Sequence, residues 1–111
     1  MVIDGNDEVI FQEIIYKLST SNKHVSEGNM MSSPGIKYKT KVFAFYHKKS
    51  MIFKLGKGYD ITGLGVKKYK FLNPFRNKPP MTAWFEVSAT EVHKWSDLAE
   101  IAMNIMKSEI K

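Results

Sequence analysis

The apolar residues of this chain recur at helical spacing near both ends and at strand spacing between them. Residues 7–18 carry apolar side chains every three or four positions, which places them on one face of a helix. Further along, Ser88-Ala89-Thr90-Glu91 has the pattern of a capping box, and an apolar stripe at helical period follows it. The stripe consists of Trp95, Leu98, Ala99, Ala102, Ile105 and Met106. We therefore predict one helix at each end of the chain.

The middle of the chain predicts a set of β-strands. Residues 42–46 and 51–55 are apolar runs separated by a short polar connection, which indicates a hairpin. Residues 69–72 and 81–87 indicate two more strands, Ser32-Ser33-Pro34-Gly35 indicates a turn, and a short helix around residues 59–64 is left open. The length of 111 residues suits one domain, residues 1–111. The prediction is an α+β domain of two layers, with the N- and C-terminal helices packed on an antiparallel sheet.

Positive charge is concentrated in the middle of the chain. Fourteen of the seventeen basic residues lie between Lys17 and Lys78, together with only two acids, Glu27 and Asp60. Clustered positive charge attracts polyanions, and backbone-tracking proteins combine such cations with aromatic rings. The candidate polyanion-binding residues are Lys37, Lys39, Lys41, Lys48, Lys49, Lys54, Lys67, Lys68, Lys70 and Arg76. The alternative is that these lysines serve solubility and protect edge strands.

Two features of the basic residues refine this hypothesis. Residues 37–41 alternate lysine with Tyr38 and Thr40, so an extended segment would place three lysines on one side. Lysine dominates, and only Arg76 has the planar group favoured for reading base edges, so we do not predict recognition of a specific sequence. Lys54 interrupts an apolar strand, where it could contact an anion on the open face or extend its stem over Ile52.

Trp84 is the candidate interface residue. If Ala83, Phe85 and Val87 face the core, Trp84 lies on the less buried side of its strand. An exposed tryptophan there would favour a protein partner or self-association, and the methionine-rich composition could line a groove. The alternative is a core filled by flexible methionines.

Motifs for catalysis and cofactors are missing from the sequence. The chain has no cysteine, its three histidines are far apart, and no G-x-S-x-G pattern marks an activated serine. The glycine pairs at residues 56–58 and 63–65 do not complete a nucleotide-binding motif. We therefore predict no catalytic residue, no cofactor and no metal.

Several segments resemble the N-terminal domain of the competence regulator TfoX and, more loosely, the YjbR/MmcQ group. They are MMSSPG at residues 30–35, KVFAF at 41–45, MIFKL at 51–55, PMTAWFEV at 80–87 and the helix of Trp95, and they span about residues 25–106 in matching order. The resemblance implies a secretion-chaperone-like α+β fold of helix, strands, helix, strands and helix. It implies no catalytic residues.

The first functional hypothesis is a non-catalytic binding or interaction module, including a regulatory one, that acts through its sheet face. The second is non-specific nucleic-acid binding through the lysine-rich middle, and the third is an unrecognised enzyme. No run of about 18 apolar residues occurs, and the acidic N-terminus lacks a hydrophobic run, so we predict a cytoplasmic protein without a membrane partner.

Overall fold

The chain forms an α+β fold, as its sequence predicts. A computed structural model describes residues 6–73 and 77–110. The elements are α1 (Asn6–Ser21), β1 (Val25–Met30), β2 (Ser33–Tyr38), β3 (Lys41–His47), β4 (Ser50–Lys54), β5 (Lys70–Leu72), β6 (Met81–Ser88) and α2 (Trp95–Glu109). Two short 3₁₀ helices, Ile61–Leu64 and Ala89–Lys94, precede β5 and α2. Among the described residues, the helices are too short or too polar to cross a bilayer.

The six strands form one antiparallel sheet in the order β1-β2-β3-β4-β6-β5. Strands β1 to β4 follow one another through two-residue turns, and the predicted β3–β4 hairpin is confirmed. The turn predicted at residues 32–35 is wrong in its placement. Met31 and Ser32 make the turn with φ angles of 52° and 68°, and Pro34 and Gly35 already belong to β2. Pro34 is accommodated because it lies near the start of its strand.

Both helices pack on the same face of the sheet. Between the helices and the sheet lies the main core, in which Trp95 at the start of α2 is 0% exposed. Its indole Nε1 donates a hydrogen bond to the Val87 carbonyl oxygen at 3.1 Å, which ties α2 to the end of β6. Tyr46 on β3 stacks against Phe11 of α1 and contacts Trp95 edge-on. These contacts hold α1 and α2 to one side of the sheet. Within residues 6–73 and 77–110, no helix packs on the other side, here called the open face.

A second, smaller apolar cluster lies on the open face. It consists of Phe45, Ile52, Leu72 and Trp84. Trp84 lies on the side of β6 opposite Phe85 and Val87, as expected, but Ala83, which was expected to face the core, packs against the same open-face cluster. The expectation that Trp84 is exposed is also wrong. Its ring is only 7% exposed because it packs edge-on against Phe45, 5.6 Å between centroids, inside this cluster. Trp84 therefore offers little surface to a partner.

Strand β3 contains a bulge at Phe43. The β2–β3 register pairs Ile36 with Ala44 and then Lys37 with Val42, so Phe43 is the extra residue. Phe43 and Ala44 both belong to the main core, whereas Val42 packs against the open-face cluster. The bulge therefore lets two consecutive apolar residues face the helices.

Gly35 occupies a position where the backbone and a neighbouring side chain approach closely. A Cβ atom at Gly35 would lie 2.8 Å from the Ala44 carbonyl oxygen and 3.0 Å from the Phe45 Cβ. Its partner across the β1–β2 ladder, Gly28, would contact only the flexible side chain of Lys37, at 3.1 Å or more. The two glycines therefore differ in what an added methyl group would displace.

We predict that Gly35→Ala destabilises the protein by about 1–3 kcal/mol, because the β2–β3 pairing must shift to admit the methyl group. Urea unfolding would measure the change, with Gly28→Ala as the matched control, expected to cost clearly less. Equal effects of the two substitutions would show that the close approach at Gly35 is not the cause.

A partly buried hydrogen bond joins α1 to the sheet. The Tyr46 hydroxyl group donates to the carboxylate of Asp7, which is 8% exposed. Burial raises the pKa of Tyr46 to about 12, and the hydrogen bond with Asp7 and the negative charges of Asp7 and Glu8 act in the same direction. The folded state therefore holds this proton more tightly than the unfolded state.

The stability contributed by the protonated Tyr46 should be complete below its ordinary pKa of 10.0 and disappear as the pH rises toward about 12. We expect Tyr46→Phe to lower the free energy of unfolding at neutral pH by about 1–3 kcal/mol, because Asp7 loses its partner. Denaturant unfolding from neutral to alkaline pH should show that the free energies of unfolding of the wild type and of Tyr46→Phe approach each other above pH 10. A difference that stays constant or widens there would contradict the role given to Tyr46.

Candidate polyanion-binding surface

A lysine-lined cavity opens where the β3–β4 turn meets the chain leading into β5. We call it the lysine pocket. Its volume is about 340 Å³, and it is lined by Lys48, Ser50, Lys68, Tyr69, Lys70, Glu86 and Ser88. The lysines come from two segments that are far apart in sequence, and the sheet brings the segments together. Three cations and one carboxylate therefore share one concave surface.

The β3–β4 turn places Lys48 at the rim of the lysine pocket. Lys48 and Lys49 are both in the left-handed region, with φ angles of 48° and 63°. Two-residue hairpins of this kind favour asparagine and glycine, so two lysines here are strained. The turn is also tied to the second 3₁₀ helix, since the Ala89 amide donates to the Lys49 carbonyl oxygen at 2.9 Å.

The segment that carries Lys68 is held by the carboxylate of Glu91. The backbone amide of Lys68 donates to Glu91 Oε2 at 2.7 Å, and that of Lys67 donates to both carboxylate oxygens at 3.0 and 3.1 Å. The sequence predicts a capping box in which Glu91 reaches back to Ser88. Only the Ser88 half of that prediction is correct, since Ser88 accepts from the Thr90 amide while Glu91 binds the distant segment.

The contacts of Glu91 also change its titration. The Lys68 amide lowers the pKa of Glu91 below its ordinary value of 4.5, burial opposes this change, and the Lys67 amide with the charges of His93 and Lys67 adds to the lowering. The ionised carboxylate is therefore the form that fastens residues 67–68 to the second 3₁₀ helix.

We predict that Glu91→Gln lowers stability most above about pH 4.5, where the wild-type carboxylate is ionised. As the pH falls and the carboxylate takes up a proton, the difference between the two proteins should shrink. Thermal unfolding between neutral and acidic pH would measure it, and hydrogen exchange should accelerate at the Lys67 and Lys68 amides. Unchanged hydrogen exchange at these amides would contradict the role of Glu91 in holding residues 67–68.

The charge of the lysine pocket is mainly positive. Glu86 on β6 lies directly opposite Lys70 on β5, an arrangement that favours opposite charges. In the part of the chain that the structure describes, the ammonium groups of Lys48, Lys68 and Lys70 have no ion-pair partner within 4.0 Å. Their charges are therefore available to an anion from solution.

The other candidate lysines are spread over the molecule. Lys49 and Lys67 are exposed beside the lysine pocket, and Lys37 and Lys54 lie on the open face, paired with Val42 and Trp84. Lys54 thus occupies the face expected from the core positions of Met51, Phe53 and Leu55.

The prediction that residues 37–41 form one extended segment is wrong. Lys39 lies in the β2–β3 turn with a φ of 57°, and Lys37 and Lys41 belong to different strands. This turn is separated from Lys48 by the length of β3, about 20 Å. Arg76 lies outside the described residues.

A smaller cavity of about 170 Å³ adjoins the lysine pocket and shares Glu86 with it. Across its floor, Ser33 Oγ on β2 lies 2.9 Å from His47 Nδ1 on β3. Sequence reasoning missed this contact because Ser33 was assigned to a turn. Ser33 is only 5% exposed, so its hydroxyl group is better placed to orient the His47 ring than to reach a substrate.

No family model, curated protein or solved structure matches this chain. The resemblance to TfoX N-terminal domains therefore stays a prediction.

Proposed function

We propose that this protein is a non-catalytic binding module that contacts the phosphate groups of a nucleic acid through the lysine pocket. The observation that carries the proposal is the meeting of Lys48, Lys68 and Lys70, from two separate segments, on one cavity. Solubility alone gives no reason for such a convergence, because dispersed lysines would serve it equally well.

The chemistry of the lysine pocket suits phosphate. Each ammonium group is a compact charge with three donors, and hydroxyl groups such as that of Ser50 can add hydrogen bonds. Lysine lacks the planar fork that reads guanine edges, so the proposed contacts are to the backbone and are independent of sequence. Glu86 weakens the attraction, because its carboxylate reduces the three positive charges of the pocket to a net charge of two.

Two further statements belong to this proposal. A relationship to TfoX N-terminal domains is supported by the order of the matching segments along the chain. A cytoplasmic location is supported by a sequence without cysteine. Binding of a protein partner and self-association stay predictions, and an unrecognised enzyme stays the third hypothesis.

We expect Lys48→Gln/Lys68→Gln/Lys70→Gln to weaken nucleic-acid binding and to make its salt dependence shallower. If each lysine neutralises one phosphate, the slope of log K against log salt should fall by about 2 for a single strand. Fluorescence anisotropy with labelled single-stranded and duplex DNA, between about 50 and 200 mM salt, would measure both effects.

The matched control removes the same number of charges at the other end of the sheet, in Lys39→Gln/Lys41→Gln/Lys57→Gln. This variant should retain most of the wild-type salt slope, and Glu86→Gln should bind more tightly than the wild type. Equal losses in the two triple variants would show that net charge, and not the lysine pocket, causes binding. No binding by the wild type at about 50 mM salt would disprove the proposal.

A further inference from the structure

Two partly exposed aromatic rings lie next to the lysine pocket at the edge of the sheet. Tyr69, just before β5, is 38% exposed, and Phe71 within β5 is 37% exposed. Among the described strands, β5 is the outermost on this side and pairs with β6, so the rings stand at the edge of the sheet. Large apolar groups that remain this accessible at a sheet edge favour contact with a ligand.

The two rings contact each other and the buried ring of Phe85, which holds them in place. Their centroids are 5.8 Å apart at an interplanar angle of 78°. Each also contacts the buried ring of Phe85, at 5.5 Å for Tyr69 and 5.2 Å for Phe71. Phe85 is 1% exposed and belongs to the main core. A ligand that stacks on these rings would therefore lose little free energy in ordering them.

The rings and the cations meet at the β5 edge of the sheet. The rings lie on the side of Phe85 and the helices, whereas Lys70 and Glu86 lie on the open face, so a ligand that uses both must cross this edge. Tyr69 itself lines the lysine pocket and stands in the chain between Lys68 and Lys70. Surfaces that hold unpaired nucleic acid combine a positive groove for the backbone with aromatic side chains for the bases. The same two components are adjacent here.

We infer that Tyr69 and Phe71 form a stacking platform for unpaired bases, so that the ligand class is single-stranded nucleic acid. This inference rests on the proposed function, because the lysine pocket must hold the phosphates beside the platform. In a duplex the base faces are already stacked on one another and cannot reach the rings, whereas in a single strand they are accessible. Single-stranded DNA and RNA share this chemistry.

The test compares ligands with the same phosphates but different bases. Short labelled oligothymidylate, oligouridylate and an abasic oligonucleotide of equal length would be titrated by anisotropy at about 50 mM salt. We expect oligothymidylate or oligouridylate to bind about tenfold more tightly than the abasic strand, as one or two stacked bases would give. The two base-bearing strands distinguish DNA from RNA as the source of the shared chemistry.

Removing the aromatic rings should abolish only the part of the affinity that depends on bases. Tyr69→Leu/Phe71→Leu keeps apolar contact with Phe85 and should bind all three strands with the affinity of the abasic one. Phe71→Leu alone changes a ring that does not line the lysine pocket, so it should lose part of the base discrimination and keep the affinity for the abasic strand. This single variant serves if the double variant unfolds. Tyr16→Leu removes a ring that is 72% exposed on α1, far along the chain from the pocket, and should leave base discrimination unchanged.

The outcomes separate the two proposals. Equal wild-type affinity for base-bearing and abasic strands, or unchanged discrimination in the folded ring variants, would overturn the platform while leaving phosphate binding intact. Binding of none of the strands would overturn the proposed function and the platform together.

Discussion

The buried indole ring of Trp95 is the contact on which the rest of the arrangement depends. Its Nε1 hydrogen bond to the Val87 carbonyl oxygen fixes the first residue of α2 to the end of β6. The same ring meets Tyr46, which in turn binds Asp7 of α1. One connected set of buried groups thus anchors both helices to the same face of the sheet. In the part of the chain that the structure describes, the opposite face carries no helix, and Lys70 and Glu86 of the lysine pocket lie on it.

The fixed position of Trp95 also positions Glu91, whose carboxylate holds one wall of the lysine pocket. The second 3₁₀ helix is confined between Ser88 at the end of β6 and Trp95, so Glu91 has little freedom to move. Its carboxylate then holds the backbone of Lys67 and Lys68 by hydrogen bonds. A carboxylate that binds backbone amides leaves the neighbouring ammonium groups free. The positive charge of the pocket is therefore held in place by an acid that does not neutralise it.

The sequence predicted the elements that have a clear hydrophobic period and missed those that lack one. Both helices and the β3–β4 hairpin follow from such periods. Strand β1 was not predicted as an individual strand because, as an edge strand, it buries only Val25 and carries polar or small residues between Val25 and Met30. The start of β2 reads as a turn because serine, proline and glycine usually make turns, and here Gly35 serves close packing instead.

The candidate site was less predictable than the fold. The lysines were identified from composition, but which of them meet depends on Glu91, whose contact with Lys68 spans 23 residues. Locally, Glu91 fits a cap equally well, so the sequence offers no signal that separates the two roles. For Trp84, alternation predicts the correct face, but its burial depends on Leu72, which an irregular β5–β6 register brings over the same side.

The bulge at Phe43 has a consequence for how this chain should be compared with others. If the same seven residues formed a regular strand without a bulge, their side chains would alternate strictly, and Phe43 and Lys41 would both face the open side. The extra residue is in effect an insertion that the sheet has absorbed in place. A homologous chain that lacks the extra residue itself would keep Val42 and Lys41 on their present sides, and with them the same charged surface. An alignment of such chains should therefore open a gap at Phe43, because continuing through it would equate buried positions with exposed ones.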